Sequence, residues 1–170
     1  MVLSKKIHYL CIENDCVIAQ QISIAMIIER NTYLQQLIAK RHNGKIKIIT
    51  GIRRCGKSFL LSTLFGNWLR EQGVDDNHIV NIDLEDRHNI TLRDPDALLA
   101  YIDSKIQDKQ MHYILIDEIQ MVDEFHDVLN SYLNKPNVDV YVTGSNARFL
   151  SKQVRSEKDT KRLTIRKLRA

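Results

Sequence analysis

Hydrophobic residues fall into short segments along the chain, separated by polar turns. Runs of five to seven residues rich in Val and Ile are typical of buried strands, whereas apolar residues spaced three and four apart predict helices. We predict strands at 45–50, 78–84, 112–116 and 138–143, and helices at 27–40, 57–72, 95–107 and 124–133. Strands that alternate with helices predict an α/β fold, in which a parallel sheet carries helices on both faces and forms a three-layer sandwich.

Two of the predicted helices have clear signals at their ends. The helix at 57–72 is closed by Gly73, and its apolar face consists of Leu60, Leu61, Leu64, Phe65, Trp68 and Leu69. The helix at 95–107 follows Asp94, a favourable N-cap residue, and has Pro95 at its first position. Proline fits the first turn of a helix because its missing N–H has no partner to lose there.

The segment between the first strand and the following helix, Gly51 to Ser58, has the pattern G-x-x-x-x-G-K-S. Glycines at both ends allow backbone N–H groups to turn inward, and the helix that begins near Lys57 adds free N–H groups and the positive end of its dipole. This pattern between a strand and a helix is typical of a phosphate-binding loop. We predict ATP contacts from Gly51, Ile52, Arg53, Arg54, Cys55, Gly56, Lys57, Ser58 and Phe59. Lys57 would reach the terminal phosphates, and Ser58 would ligate Mg²⁺.

A pair of acidic residues follows the third predicted strand. Four apolar residues lead into Asp117, with Glu118 directly after it. A carboxylate at the end of a strand beside a phosphate loop is suited to hold Mg²⁺, and a second carboxylate can activate the attacking water. We therefore predict Asp117 as a metal ligand together with Ser58, and Glu118 and Lys57 as catalytic residues.

The fourth predicted strand ends in Thr143-Gly144-Ser145-Asn146. A polar group beside the acidic pair can contact the γ-phosphate or the attacking water. Thr143, Ser145 and Asn146 are candidates for this role, and Thr143 and Asn146 are counted among the predicted catalytic residues. The alternative is that these four residues form only a turn at the end of the strand.

Charge and composition restrict the remaining possibilities. Residues 151–170 carry a net charge of +6, so the rest of a chain of net charge +4 is slightly acidic. We interpret this basic tail as a solvated, poorly ordered end, with weak, nonspecific nucleic-acid contact as the alternative. Three cysteines favour a reducing compartment over a disulfide framework, and no apolar run has the length of a membrane span, so we expect a cytoplasmic protein. The histidines show no metal-ligand spacing.

Several segments taken together resemble the prokaryotic AAA-type ATPases of the AAA_14 group. The resemblance covers residues 26–151 and rests on MIIERNTYLQQLI, IITGIRRCGKSFLL, HIVNIDLED, YILIDEIQMVDEF and VYVTGSNARFLS. It implies an AAA-like P-loop core of the branch in which an Asp-Glu pair supports ATP hydrolysis. Together with the predicted Mg²⁺ ligands, we expect an Mg²⁺-dependent reaction, and a homo-oligomer is among the expected partners.

The two ends of the chain depart from the pattern of this family. Family members commonly begin near the position of Met26, and after Ser151 they continue with an Arg/Gly-rich stretch and a Pro-Leu-Ser-Phe motif. We therefore expect a disordered N-terminal extension at 1–25, an ATP-binding domain at 26–151, and a truncated or frame-shifted basic tail at 152–170. The Arg/Gly stretch, which can supply a charge-stabilising arginine, does not appear after Ser151 in this sequence. The main hypothesis is therefore a slow ATPase. The alternative is a nucleotide-binding module with little turnover, whose basic tail contacts nucleic acid.

Overall fold

A single parallel β-sheet organises the molecule. The computed structural model describes residues 31–145 and the backbone of residues 160–165. Its strands are β1 (Ile46–Gly51), β2 (Ile79–Asp83), β3 (His112–Asp117), β4 (Val138–Gly144) and β5 (Thr160–Ile165). The spatial order is β2-β3-β4-β1-β5, and every neighbouring pair is parallel. The predicted α/β fold with a parallel sheet is confirmed.

Helices connect the strands and cover the sheet. Helix α1 spans residues 31–39, and helix α2 combines a π-helical segment, Phe59–Phe65, with an α-helical segment, Gly66–Glu71. Helices α3 (Pro95–Lys105) and α4 (Phe125–Asn130) follow β2 and β3. Short 3₁₀ segments lie at Asp76–His78, Arg87–Arg93 and Ile119–Met121. Each predicted helix is present, although α3 and α4 are shorter than the sequence suggests.

Two hydrophobic cores lie on opposite faces of the sheet. Residues alternate between the faces along each strand, so that Ile114 and Ile116 of β3 enter one core while Tyr113 and Leu115 enter the other. The first core also contains apolar residues of α3 and α4. The second contains apolar residues of α1 and α2, with the whole predicted apolar face of α2 among or against them. The helices therefore form the two outer layers of a three-layer sandwich.

The ends of two helices follow from local sequence. The carboxylate of Asp94 accepts a hydrogen bond from the backbone N–H of Ala97 at 2.9 Å, so it caps α3 as predicted. Gly73 has a φ of +83° just after α2, and the next N–H, that of Val74, returns to the carbonyl of Leu69 at 3.1 Å. Glycine adopts this left-handed conformation without a Cβ clash, and the carbonyls of the last turn are thereby satisfied.

Strand β5 is a correction to the sequence analysis. The expectation of a poorly ordered tail is wrong for residues 160–165, because their backbone pairs with all six residues of β1, from Ile46↔Thr160 to Gly51↔Ile165. The strand was missed because the sequence around it is rich in positive charge. Backbone pairing in an outer strand does not require a continuous apolar run. The predicted domain limits at 25 and 151 remain predictions. Among the residues that the structure describes, no helix has the length and apolar character needed to cross a bilayer.

Candidate nucleotide-binding site

The predicted site residues meet at the carboxyl edge of the sheet. Strands β3, β4 and β1 are neighbours in this order, and they end at Asp117, Gly144 and Gly51 respectively. Carboxyl ends of parallel strands share one edge, and loops at that edge are the usual ligand-binding region of open α/β sheets. The strand order thus brings together three motifs that are up to about 90 positions apart along the chain.

The loop from Gly51 to Ser58 is a tight turn between β1 and α2. Gly56 has a φ of +89°, which favours glycine, and its carbonyl accepts the N–H of Leu60 at 3.0 Å as the helix begins. Arg54 also has a positive φ, +62°, a strained conformation for a residue with a Cβ. The side chains of the remaining predicted contacts face outward or lie partly buried: Ile52, Arg53 and Phe59 are exposed and Cys55 is partly buried.

The Lys57 side chain is enclosed at the centre of the site. It is only 3% exposed, and its ammonium lies 3.5 Å from Oε1 of Glu118, 3.5 Å from Oγ of Ser145 and 3.4 Å from the carbonyl oxygen of Ile52. An enclosed ammonium needs such partners, because burial of an unpaired charge is costly. The lysine is therefore held by Glu118, Ser145 and the loop carbonyl of Ile52.

Asp117 is buried and linked to two hydroxyl groups. The Thr143 hydroxyl donates to Oδ1 of Asp117, and the Ser58 side chain forms a further hydrogen bond to this carboxylate. Burial raises the pKa of Asp117 above its ordinary value, and the nearby charges of Glu118 and Asp83 add to the rise, although the two hydroxyl groups oppose it. A desolvated carboxylate beside a serine hydroxyl is a donor set of hard oxygen atoms, which fits Mg²⁺.

Glu118 is held in an unusual backbone conformation. Its φ of +54° is left-handed, and its N–H donates to the Thr143 hydroxyl oxygen at 2.9 Å. Its carboxylate accepts hydrogen bonds from the side chains of Ser145 and Gln120 and lies beside the ammonium of Lys57. Burial would raise the pKa of Glu118, but these hydrogen bonds and the lysine charge outweigh burial and lower it. The carboxylate is therefore ionised at neutral pH.

The structure adds three residues that the sequence analysis did not include in the site. Gln120 contacts Glu118, and Asp83 at the end of β2 is the register partner of Asp117. The exposed Glu85 accepts a hydrogen bond from Arg53 of the loop at 3.1 Å. Asp83 could have been predicted as a site residue, because it is an acidic residue at the end of a second strand. Gln120 could not, because its contact with Glu118 depends on the conformation of the turn after β3. Asn146, the remaining predicted catalytic residue, lies outside the described residues.

Comparison with known proteins gives a family and a fold. The family model described as an AAA domain, AAA_14, matches residues 43–168. An uncharacterized protein of Haemophilus influenzae is 36% identical over 126 residues, which are 74% of this chain and 31% of that protein. The chain therefore spans about a third of the length of this curated relative.

Two solved structures share the fold at low sequence identity. A DNA polymerase III gamma subunit-related protein from Thermotoga maritima has a TM-score of 0.58 at 12% identity, over 78% of this chain and 45% of that chain. The structure of Drosophila ORC bound to DNA has a TM-score of 0.55 at 10% identity, over 84% and 92% of the respective chains. The family match extends through β5, in agreement with its place in the sheet. The chain belongs to the AAA_14 family of AAA domains, and it is a nucleotide-binding AAA-like protein with a P-loop fold.

Proposed function

We propose that this protein binds ATP with Mg²⁺ at the loop Gly51–Ser58 and hydrolyses it to ADP and phosphate. The observation that supports this best is the convergence of Lys57, Asp117 and Glu118 at one edge of the sheet. An enclosed ammonium, a desolvated carboxylate and an ionised carboxylate are the three charged groups that phosphoryl transfer to water requires.

The phosphates would lie in the loop that connects β1 and α2. The free N–H groups at the start of α2 would favour negative charge there. Lys57, whose ammonium lies 3.5 Å from Oε1 of Glu118, would exchange this partner for the β- and γ-phosphate oxygens. Release from Lys57 would remove one contact of Oε1 of Glu118, while the contact of this oxygen with the Ser145 hydroxyl would remain.

Mg²⁺ would be held by the hydroxyl of Ser58 and the carboxylate of Asp117. The ion would neutralise charge on the phosphate oxygens and align the γ-phosphoryl group. Thr143, which bonds to Asp117, would fix the orientation of this carboxylate. Direct contact between Thr143 and the phosphate is not required for this positioning role.

Glu118 would act as the base for the attacking water. The water oxygen would form a bond to the γ-phosphorus while the bond to the bridging oxygen of ADP breaks, and the water proton would pass to Glu118. The lowered pKa of Glu118 supports its role as acceptor, because the group is in its ionised form before the reaction. Ser145 and Gln120 donate hydrogen bonds to this carboxylate, and at least one of these bonds would have to break for the water to bind there.

A second candidate function is nucleotide binding with little turnover. It is favoured by the same contacts, because Ser145, Gln120 and Lys57 together engage both carboxylate oxygens of Glu118. A base that stays in these contacts cannot orient water. Location in the cytoplasm, association between copies, and weak nucleic-acid contact through the basic segment 151–170 are further proposals. The last has an analogue in ORC, whose structure is bound to DNA.

Equilibrium titration with a fluorescent ATP analogue tests the proposal. The purified full chain should bind the analogue in the presence of Mg²⁺, and Lys57→Ala should weaken binding on the order of 10- to 100-fold, since a charge-assisted hydrogen bond contributes about 1.5–3 kcal/mol. Lys135→Ala is a matched control, because Lys135 pairs with Asp103 before β4, at the opposite edge of the sheet. Equal affinity in the wild type and Lys57→Ala would overturn the proposed site. Phosphate release then separates the two candidate functions.

A further inference from the structure

A second polar cluster lies at the amino edge of the sheet, opposite the phosphate loop. His78 immediately precedes β2, and His112 is the first residue of β3. Because Ile79 is the register partner of Tyr113, the preceding residues His78 and His112 lie side by side, with ring centroids 4.7 Å apart. The third member, Asp108, comes from the connection between α3 and β3.

The three side chains direct their ligand atoms toward a common point. Nε2 of His78 is 3.0 Å from Oδ2 of Asp108, and Nε2 of His112 is 3.9 Å from Oδ1 of the same carboxylate. All three ligand atoms lie within 4.8 Å of one another. Zinc bonds of about 2.0–2.1 Å in tetrahedral geometry place neighbouring ligand atoms about 3.3 Å apart. The distances from the two histidines to the carboxylate, 3.0 Å and 3.9 Å, lie on both sides of this value, so the three groups are at the separation expected of ligands to one ion.

Neighbouring groups already orient these ligands. Nδ1 of His112 lies 2.8 Å from the carbonyl oxygen of Gln110, a contact in which Nδ1–H donates and leaves the Nε2 lone pair directed at Asp108. The backbone N–H of Gln110 donates to Oδ1 of Asp108 at 2.7 Å, and Asn137 donates to the Asp108 carbonyl at 3.1 Å. An outer hydrogen bond of this kind on a histidine is the usual companion of metal ligation, because it fixes the tautomer.

One side of the cluster opens into a cavity of about 490 Å³. Its lining includes Asn77, Asn81, Tyr101, Lys105 and Gln107 beside the three cluster residues. The exposed fractions of the side chains rise from 2% for His112 through 14% for His78 to 43% for Asp108. The cluster is therefore closed by the protein on the sheet side and accessible to a water molecule or a small ligand on the other.

We propose that His78, Asp108 and His112 form a binding site for a Zn²⁺-class transition-metal ion, with its fourth position facing the cavity. Two imidazole nitrogens and one carboxylate favour Zn²⁺ over Mg²⁺, which prefers oxygen ligands. The ion would link the start of β2, the α3–β3 connection and the start of β3. This site is separate from the nucleotide site and does not depend on ATP hydrolysis.

Zinc titration of the full chain tests this assignment. Protein treated with a chelator and then desalted is titrated with Zn²⁺ against a chromophoric competitor, without nucleotide. We expect one equivalent to bind with an affinity that falls at least tenfold in His78→Ala and in Asp108→Asn. The control is His88→Ala, since His88 also pairs with an aspartate, Asp86 at 2.8 Å, but its side chain is 94% exposed. Its affinity should equal that of the wild type.

Substitution of Co²⁺ for the bound Zn²⁺ identifies the types of ligand at the metal site. Co²⁺ in the proposed site should give the visible bands of a four-coordinate nitrogen and oxygen site, and His78→Ala should remove them. A thiolate-to-metal charge-transfer band would instead assign the ion to cysteine and overturn the proposal. Absence of stoichiometric Zn²⁺ binding, or unchanged binding in both His78→Ala and Asp108→Asn, would overturn it as well and leave a simple His–Asp hydrogen bond.

Discussion

The hydroxyl oxygen of Ser145 lies 2.8 Å from both carboxylate oxygens of Glu118. The backbone N–H of Ser145 donates to the same carboxylate at 3.2 Å. The residue that follows β4 therefore holds the side chain of the residue that follows β3. The hydrogen bond from Ser145, at the end of the neighbouring strand β4, thus helps to keep the proposed base Glu118 ionised.

Removal of this hydroxyl should raise the pKa of Glu118. In Ser145→Ala the carboxylate loses one of the hydrogen bonds that favour its charged form, while burial still opposes that form. Carbon-13 NMR titration, with the Glu118 signal assigned by its absence in Glu118→Gln, measures the change. Ser131→Ala is the control, because the Ser131 hydroxyl bonds within α4 to the carbonyl of Asp127. A pKa of Glu118 that is the same in Ser145→Ala and the wild type would contradict the assignment of this contact.

Glu118→Gln should retain ATP binding and lose turnover. The amide preserves the size and one acceptor oxygen but cannot accept the water proton, and loss of a general base commonly lowers the rate about 10²–10⁴-fold. Phosphate release at saturating Mg-ATP measures the rate, and analogue titration measures binding. Glu124→Gln is a suitable control, because Glu124 also has a positive φ, 52°, but lies on the surface before α4.

Two results would change the interpretation of Glu118. Equal turnover in the wild type and Glu118→Gln would show that another group activates water. Turnover below detection in the wild type, with tight ATP binding, would favour the binding module over the ATPase.

Asp117→Asn should change the pH dependence of stability in a defined direction. Because the folded-state pKa of Asp117 is raised above 3.8, its ionisation opposes folding, and the wild type loses stability as the pH rises from 3.8 through the raised value. The asparagine does not titrate. The free energy of unfolding of Asp117→Asn, measured relative to the wild type in urea, should therefore increase with pH over that window.

Asp86→Asn provides the opposite slope for comparison. Hydrogen bonds from the backbone N–H and the ring of His88 lower the pKa of Asp86. Ionisation of Asp86 favours folding, so the free energy of unfolding of the wild type increases as the pH rises from the lowered pKa through 3.8. The asparagine does not titrate, so the free energy of unfolding of Asp86→Asn relative to the wild type should decrease over that window. Slopes of the same sign for the two variants would contradict the pKa direction given for Asp117.

The buried ion pair between Lys47 and Asp139 should matter far more for stability than a surface pair. Lys47 is 1% exposed in β1, and Asp139 of β4 is 4% exposed and also accepts from the Tyr141 hydroxyl at 2.8 Å. Lys47→Met leaves a buried carboxylate without its cation, which commonly costs about 3–5 kcal/mol. Lys135→Met removes a surface partner of Asp103 and should cost less than about 1 kcal/mol. Urea denaturation of both variants measures the difference.

The central part of the fold could be predicted because several signals agree. Buried strands at 112–116 and 138–143 are short apolar runs, and Gly51, Gly56 and Lys57 occur at fixed spacing between a strand and a helix. Strand ends carry the polar groups, so the position of Asp117 and Thr143 at one edge follows from a parallel sheet alone. Their proposed roles remain to be tested.

Other features depend on which strands are neighbours. The pairing of Ser145 with Glu118 requires β4 beside β3, and the pairing of His78 with His112 requires the β2–β3 register. Neither is visible as spacing along the chain, since His78 and His112 are 34 positions apart. Strand β5 was missed for another reason, because the net positive charge of its surroundings favoured a solvated segment.

The position of β1 in the sheet has a consequence for synthesis of the chain. Both sheet partners of this strand, β4 and β5, are encoded more than 85 residues after it. On the ribosome, β1 can form the pairings seen among the described residues only after the segment Val138–Gly144 has emerged from the exit tunnel. Pairings of such large sequence separation are entropically expensive and slow to form. The strand that leads into the phosphate loop is thus made well before the strands that fix it in place.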